Sequence, residues 1–194
     1  VVICAHSRER LGLLRKAIAS VKAQSAPAAQ IIVVCDHNPA LLEALRPGPP
    51  GVTLVENTGP QGLSGARNTG IALSTGDVVA FLDDDAQADP AWLATLARAY
   101  GDPAVMAAGG EITPLWPEAR PAWFAREFDW VVGCSYLGMP EEPAPVRNLI
   151  GCNMSIRAAA LDKTGGFRGD LGRVGDAAAG CEETEFFIRL ARET

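Results

Sequence analysis

The 194 residues suit one domain, and 48% of them are apolar, enough for a sizeable core; a disordered chain is excluded. A formal net charge of −6 argues against a dedicated nucleic-acid binder, because phosphate contacts need a basic face, yet a nucleotide whose charge a metal offsets stays open. Five cysteines, odd in number and without CxxC spacing, read as free thiols in a reducing compartment.

Val1 to Ala5 reads as a short buried strand, followed by His6-Ser7-Arg8-Glu9, where Ser7 can cap a helix. Leu11, Leu14, Ile18 and Val21 then fall at helical spacing, and Pro27 ends that segment. Ile31 to Asp36 is a second buried strand that finishes on a carboxylate, which completes a βαβ unit. A short helix over Pro39 to Leu45 and a third strand over Val52 to Glu56 come next. The following Asn57 to Gly70 holds four glycines, at a spacing that is neither GxGxxG nor a Walker A loop. Ala66, Ile71, Ala72 and Leu73 form a small-residue helix against the sheet.

Val78-Val79-Ala80-Phe81-Leu82 is an apolar run of the kind buried on both faces at the centre of a parallel sheet. It ends in Asp83-Asp84-Asp85, and parallel sheets place ligands beyond the carboxyl ends of their strands. Three adjacent carboxylates repel, so either bulk water on an acidic turn or a bound cation in a cleft must stabilise them. In the first case Asp89 and Pro90 simply open the next helix, which runs to Tyr100. In the second, Mg²⁺ or Mn²⁺ takes one or two carboxylates and completes its shell with water and phosphate oxygens.

A strand over Val105 to Ile112 is followed by a change of texture. From Thr113 to Arg147, prolines interleave with Trp116, Trp123, Phe124, Phe128, Trp130 and Tyr136, which either pack a satellite cluster or line a cleft for a sugar-like ligand. Asn148 to Arg157 reads as a strand returning to the core, and Ala158 to Leu161 as a short helix before Gly165. Gly169 to Gly180 has the texture of a loop over an active site. Cys181-Glu182-Glu183-Thr184-Glu185 opens a last helix, where acidic residues also suit the macrodipole. No run reaches the ~18 apolar residues of a membrane span. The chain starts without Met and stops inside a helical pattern, as a trimmed domain would.

In this order and spacing, the segments resemble the family 2 glycosyltransferases, and the resemblance runs over nearly the whole chain. Cys4-Ala5-His6-Ser7-Arg8 stands where the family has a Pro-Thr-Tyr-Asn-Arg-like turn, differing at four of five positions. Ile31 to Asn38 is similar to the family's second strand, with Cys35 in place of its first acidic residue. Ala66-Arg67-Asn68-Thr69-Gly70 matches Ala-Arg-Asn-x-Gly, and Phe81-Leu82-Asp83-Asp84-Asp85 matches the DxD metal motif. Gly151 to Arg157, Gly165-Gly166-Phe167 and Cys181 to Glu185 resemble the family's Gly-x-Asn-Met-x-x-Arg, Gly-Gly-Phe and Gly-Glu-Asp-x-Glu/Asp.

The resemblance implies an α/β protein with a single Rossmann-like GT-A domain, its central sheet mostly parallel and flanked by helices. Residues 1–112 would form the nucleotide-sugar half, and residues 113–194 the acceptor and catalytic-base half of the same domain. The implied reaction is inverting transfer of a sugar from a nucleotide-diphosphate donor to a hydroxyl of a glycan or lipid-linked acceptor. Ala5, His6, Arg8, Asp36, Arg67, Asp83 and Asp84 would meet the donor, with Asp36 at the base, while Asp85 and Asp83 would hold Mg²⁺ or Mn²⁺. Glu183, with Glu182 beside it, takes the position of the catalytic base, and Asn68 is structural. Residues 113–147 and 168–181, irregular where the rest of the chain is regular, are expected to form the acceptor side, with Trp123, Trp130 and Asn153 as acceptor-binding residues. The implied setting is the cytoplasm, at the membrane's cytoplasmic face through regions outside this chain, with no nucleic-acid partner. Two other readings stand beside this one. A sugar-1-phosphate nucleotidylyltransferase has a related sheet but needs a Gly-rich loop where Ala5 to Arg10 has no glycine; a silent nucleotide-binding module would explain the altered first turn.

Overall fold

A computed structural model of the chain describes residues 1–172 and 180–194. The expected loop over Gly169 to Gly180 lies largely outside the described residues. Four apolar runs form the strands β1 (Val2–Ala5), β2 (Ile31–Asp36), β3 (Val52–Asn57) and β4 (Val78–Asp83). Two short strands, β5 (Ala107–Gly109) and β6 (Asn153–Arg157), complete a six-stranded sheet of order β3-β2-β1-β4-β6-β5. Strands β1 to β4 pair in parallel; β6 runs antiparallel to both β4 and β5. One strand of six therefore opposes the rest, and the sheet is mostly parallel as expected.

Alternation along the strands sorts the core into two layers. Ile3, Ala5, Val33 and Leu82 point to one face, where α1 (Leu11–Lys22), α2 (Pro39–Leu45) and α4 (Trp92–Ala99) cover them. Val2, Ile32, Val34 and Phe81 point to the other, under α3 (Leu63–Leu73), α5 (Ala158–Thr164) and α6 (Glu182–Glu193). With both faces covered, short unbroken apolar runs are what each central strand needs.

The direction of β6 sets up the site. Leu82 pairs with Asn153, so the start of β6 lies at the same sheet edge as the ends of β1, β2 and β4. Residues 150–152 turn there, and β6 begins at Asn153, five residues later than the apolar pattern suggested. Strand β5 is likewise shorter than Val105 to Ile112, because the chain departs from the ladder after Gly109; the Asn153 amide donates to the Glu111 carbonyl at 3.1 Å. Helix α4 starts at Trp92 rather than Pro90, after the Asp89 carboxylate accepts the Ala91 N–H at 2.8 Å. The Pro-rich segment contains a 3-10 helix over Arg126–Val132 that periodicity did not suggest. No helix among the described residues is long and apolar enough to cross a membrane.

Helix α3 lies unusually close to β1. A Cβ on Gly70 would collide with both methyls of Val2, a stiff β-branched side chain in the core. Gly70→Ala should destabilise the protein, because overpacking at about 1–3 kcal/mol exceeds alanine's helical advantage of about 1 kcal/mol. Urea unfolding measures this, and a Val2→Ala partner change should recover part of the loss.

Candidate active site

Glycine-permitted turns and close approaches help to bring the site together. Asp36, at the end of β2, accepts from the Asn57 amide at 2.6 Å and from the Gly62 N–H at 2.9 Å. Asn57 also donates to the Pro60 carbonyl at 2.9 Å and accepts from the Gly59 N–H and the Thr69 hydroxyl, so one buried amide folds the glycine-rich turn around Asp36. Gly62 enters α3 with φ of 116°, a conformation that glycine tolerates without strain. Each Asp36 oxygen keeps a lone pair beyond these bonds, so the carboxylate remains able to accept from a ligand.

Arg67, on the buried face of α3, is 2% exposed and holds both acidic residues that begin α6. Its two terminal nitrogens donate to Glu182 at 3.2 Å and to Glu183 at 3.0 Å. The guanidinium also lies 5.2 Å from the Phe167 ring centroid, and Phe167 stacks on Phe186 of α6 at 4.6 Å. Burial opposes the Arg67 charge, but Glu183, Asp83 and the other nearby acids more than offset it and hold the guanidinium charged. Glu182 is buried, and that burial, with the neighbouring Glu183 charge, raises its carboxyl above the ordinary value. Glu183 is the more accessible of the two, its side chain 19% exposed against 5%. The turn before β6 presses against this group: a Cβ on Gly151 would collide with Glu183 and Arg67. Asn68, next along α3, pins the Gly-Gly-Phe segment by donating to the Phe167 carbonyl at 2.7 Å and accepting its N–H at 2.8 Å.

The acidic run divides by depth. Asp83 pairs in register with Cys4 of β1, and burial pushes its carboxyl up to about 6 despite the pull of Arg67. Asp84 is buried and also raised, by burial first, and one of its oxygens has no hydrogen-bond partner among the described residues. Asp85 is exposed. Arg10 joins the last two: its Nη1 lies 3.2 Å from Asp84 and 2.9 Å from Asp85. Sequence reasoning missed Arg10 and Asn57. Nothing in a local pattern relates Arg10 to a partner 74 residues away, whereas the register Asp36 to Asn57 follows once β2 and β3 are paired.

The match to the Glycosyl transferase family 2 model covers residues 1–165. The chain belongs to this family. It is 35% identical over 198 residues to the glucosyl-dolichyl phosphate glucuronosyltransferase of Haloferax volcanii, an alignment spanning 100% of this chain and 63% of that protein. It is 30% identical over 196 residues to the succinoglycan biosynthesis protein ExoM of Rhizobium meliloti, over 97% of this chain and 59% of that one. The chain thus spans about three fifths of the length of these relatives. In fold it matches the mannosyltransferase PcManGT from Pyrobaculum calidifontis, solved with GDP-Man and Mn²⁺, with a TM-score of 0.67 and 20% identity over 98% of this chain and 50% of that one. TarS 1-349 of S. aureus with UDP-GlcNAc gives 0.66 and 17% over 97% of this chain and 52% of that one. The family's GT-A fold is therefore present.

Within this family 2 domain the other expected residues fall as follows. Ala5 is buried at the end of β1, while His6 and Arg8 are exposed beside it, the His6 carbonyl accepting from Asn38 at 2.8 Å. Trp123 and Trp130 are 81% and 58% exposed on a segment held by the Arg120–Asp129 pair, both contacts at 2.7 Å. In the same segment the Cys134 thiol is raised by burial first, then by the Asp129 charge, with a smaller contribution from Asp85. The Asn153 amide is engaged on both sides, accepting from the Trp92 indole at 2.8 Å and donating to Glu111.

The donor set fits a hard cation. No group of three or more metal-ligating side chains converges among the described residues, so protein oxygens from Asp83 and Asp85 would supply only part of a shell. Burial pushes the thiols of Cys4 and Cys152, which feel the Asp83 charge, up to about 12. In metal-free protein these thiols are protonated, and the hard carboxylate oxygens of Asp83 and Asp85 are the donors that suit Mg²⁺ or Mn²⁺.

A buried carboxyl raised in the folded state has a definite pH signature. Asp83 contributes its stability below about pH 4 and loses it as pH rises through about 6, because the folded state binds the proton more tightly. In metal-free protein, Asp83→Asn should therefore unfold at higher urea than wild type near neutral pH, by on the order of 1–3 kcal/mol. That advantage should fade as the pH is lowered towards 4, which urea titrations at a series of pH values would read directly.

Proposed function

We propose that this domain is an inverting glycosyltransferase that moves a sugar from a nucleotide-diphosphate donor to a hydroxyl of a glycan or lipid-linked acceptor. The observation that carries the reading is the meeting at Arg67 of the Asp83 strand end and the Glu182–Glu183 helix start: the guanidinium bonds both glutamates and feels the Asp83 charge. The family relationship, and the nucleotide sugars in two solved neighbours, support it.

In this mechanism Asp36 accepts from the nucleoside base, with Ala5, His6 and Arg8 flanking it at the end of β1. Asp83 and Asp85 would supply oxygens to hold Mg²⁺ or Mn²⁺, and Asp84 steadies that turn through Arg10. The cation, when bound, offsets the charge that builds on the departing diphosphate. Glu183 takes the acceptor's proton as that oxygen attacks the anomeric carbon from the face opposite the diphosphate, so the configuration inverts in a single displacement. Arg67 aims Glu183 through its hydrogen bond; Glu182, buried and bonded to the same guanidinium, fixes where that guanidinium sits. The acceptor side comprises residues 113–147, with Trp123 and Trp130 offering exposed aromatic faces and the Asn153 end of β6 bordering them. A lipid-linked acceptor accords with the dolichyl phosphate in the Haloferax relative's name, and a place at the cytoplasmic membrane face belongs to the same reading. All five cysteines are free, as a reducing compartment would keep them.

Calorimetric titration with UDP, GDP and TDP, with and without Mn²⁺, tests the donor site. One nucleotide should bind in a metal-dependent way, and Asp85→Ala should lose that dependence; no binding by any folded sample would refute the reading. Glu183→Gln should leave nucleotide affinity within about twofold but lower transfer by about 10²–10⁴-fold, the range for a lost general base.

A further inference from the structure

Among the described residues, the acidic run and the acidic start of α6 together carry more carboxylates than the cations bonded to them. Asp83, Asp84, Asp85, Glu182 and Glu183 share two guanidiniums among the described residues, Arg67 and Arg10. Arg67 is committed: it is buried and bonded to both glutamates. Arg10 is different. It sits on the 3-10 turn Arg8–Arg10, its side chain is 45% exposed, and a single nitrogen, Nη1, bridges Asp84 Oδ1 and Asp85 Oδ2. A buried anchor and a wet partner are thus spanned by one movable cation. The second oxygen of Asp84, buried without a hydrogen-bond partner among the described residues, shows that Arg10 does not saturate even the carboxylate it holds more deeply.

We propose that Arg10 is a positioning residue that exchanges with the divalent cation. In the absence of metal it occupies the Asp85 oxygen and keeps the acidic turn in its binding geometry. When metal enters, Arg10 releases Asp85 and stays on Asp84. The inference rests on the donor-site reading above. Its energetic basis is that an exposed ion pair is weak and screened by salt, so the Arg10–Asp85 contact yields readily to a doubly charged ion, whereas the Arg10–Asp84 contact, with one partner buried, holds. Arg10 therefore lowers the affinity for free metal without blocking it, and favours loading when the diphosphate arrives with its own oxygens.

The test uses Mn²⁺ itself, with free ion counted by its paramagnetic resonance signal at constant ionic strength. Arg10→Met should bind Mn²⁺ about three- to tenfold more tightly than wild type without nucleotide, since the competing charge is gone. Arg10→Gln should do the same, and serves if the methionine variant does not fold. In wild type labelled with ¹⁵N, the Arg10 side-chain resonance should move along the binding curve on titration with diamagnetic Mg²⁺, and should not move in Asp85→Asn. Unchanged or weaker Mn²⁺ binding by a folded Arg10 variant overturns the exchange, as does an Arg10 resonance indifferent to Mg²⁺. If wild type binds Mn²⁺ with a nucleotide but the variants fail these expectations, only the Arg10 inference falls. If wild type binds no Mn²⁺ with any of UDP, GDP and TDP, the donor-site reading falls with it.

Discussion

The buried guanidinium of Arg67 is the interaction on which the arrangement depends. A single side chain from α3 reaches both acidic residues at the start of α6, lies over Phe167, and acts electrostatically on Asp83 at the end of β4. Taking such a group out of water is costly, and a hydrophobic replacement of the whole set could pack as stably. Removing one member alone is another matter, since it leaves buried charge without a partner, at about 3–5 kcal/mol. The cluster therefore holds its geometry because each carboxylate needs the same cation. That is a better guarantee of orientation than of stability.

Around this centre the chain uses glycine and asparagine for close approach and fixed direction. Gly151 lets the turn before β6 touch the Arg67–Glu183 pair, and Gly166 admits the Asn68 side chain that ties down Phe167. Asn57 does the corresponding work at Asp36. These amides are neutral at any working pH, so the frame of the site does not titrate even though the groups it displays do.

Much of this was legible in the chain. Strands buried on both faces appear as short apolar runs, and β1, β2, β3 and β4 were found on that basis, each within one or two residues. The carboxylates at strand ends and the pair opening α6 were visible as residue types in place. Length and direction at the far edge were not: Val105 to Ile112 and Asn148 to Arg157 are apolar enough to extend, but only three and five residues join the ladder. What stops them is tertiary, since residues 150–152 must turn towards Arg67 and the segment after Gly109 must reach the Asn153 amide. Arg10 was invisible for the same reason. A short polar turn gives no sign that one of its charges meets carboxylates from the other end of a sheet crossing.

The place of β6 has a consequence for how the molecule comes to be made. It is inserted between β4 and β5, although some seventy residues separate β4 from it in sequence. During synthesis, the edge of β4 beside the acidic run waits with unpaired backbone until Arg157 has left the ribosome. Such an open edge is a template for pairing with a stranger, and long-range closure is slow. The three aspartates that end or follow β4 place like charge at one end of that edge, so the residues proposed to serve chemistry in the finished domain also discourage a second nascent chain from docking there.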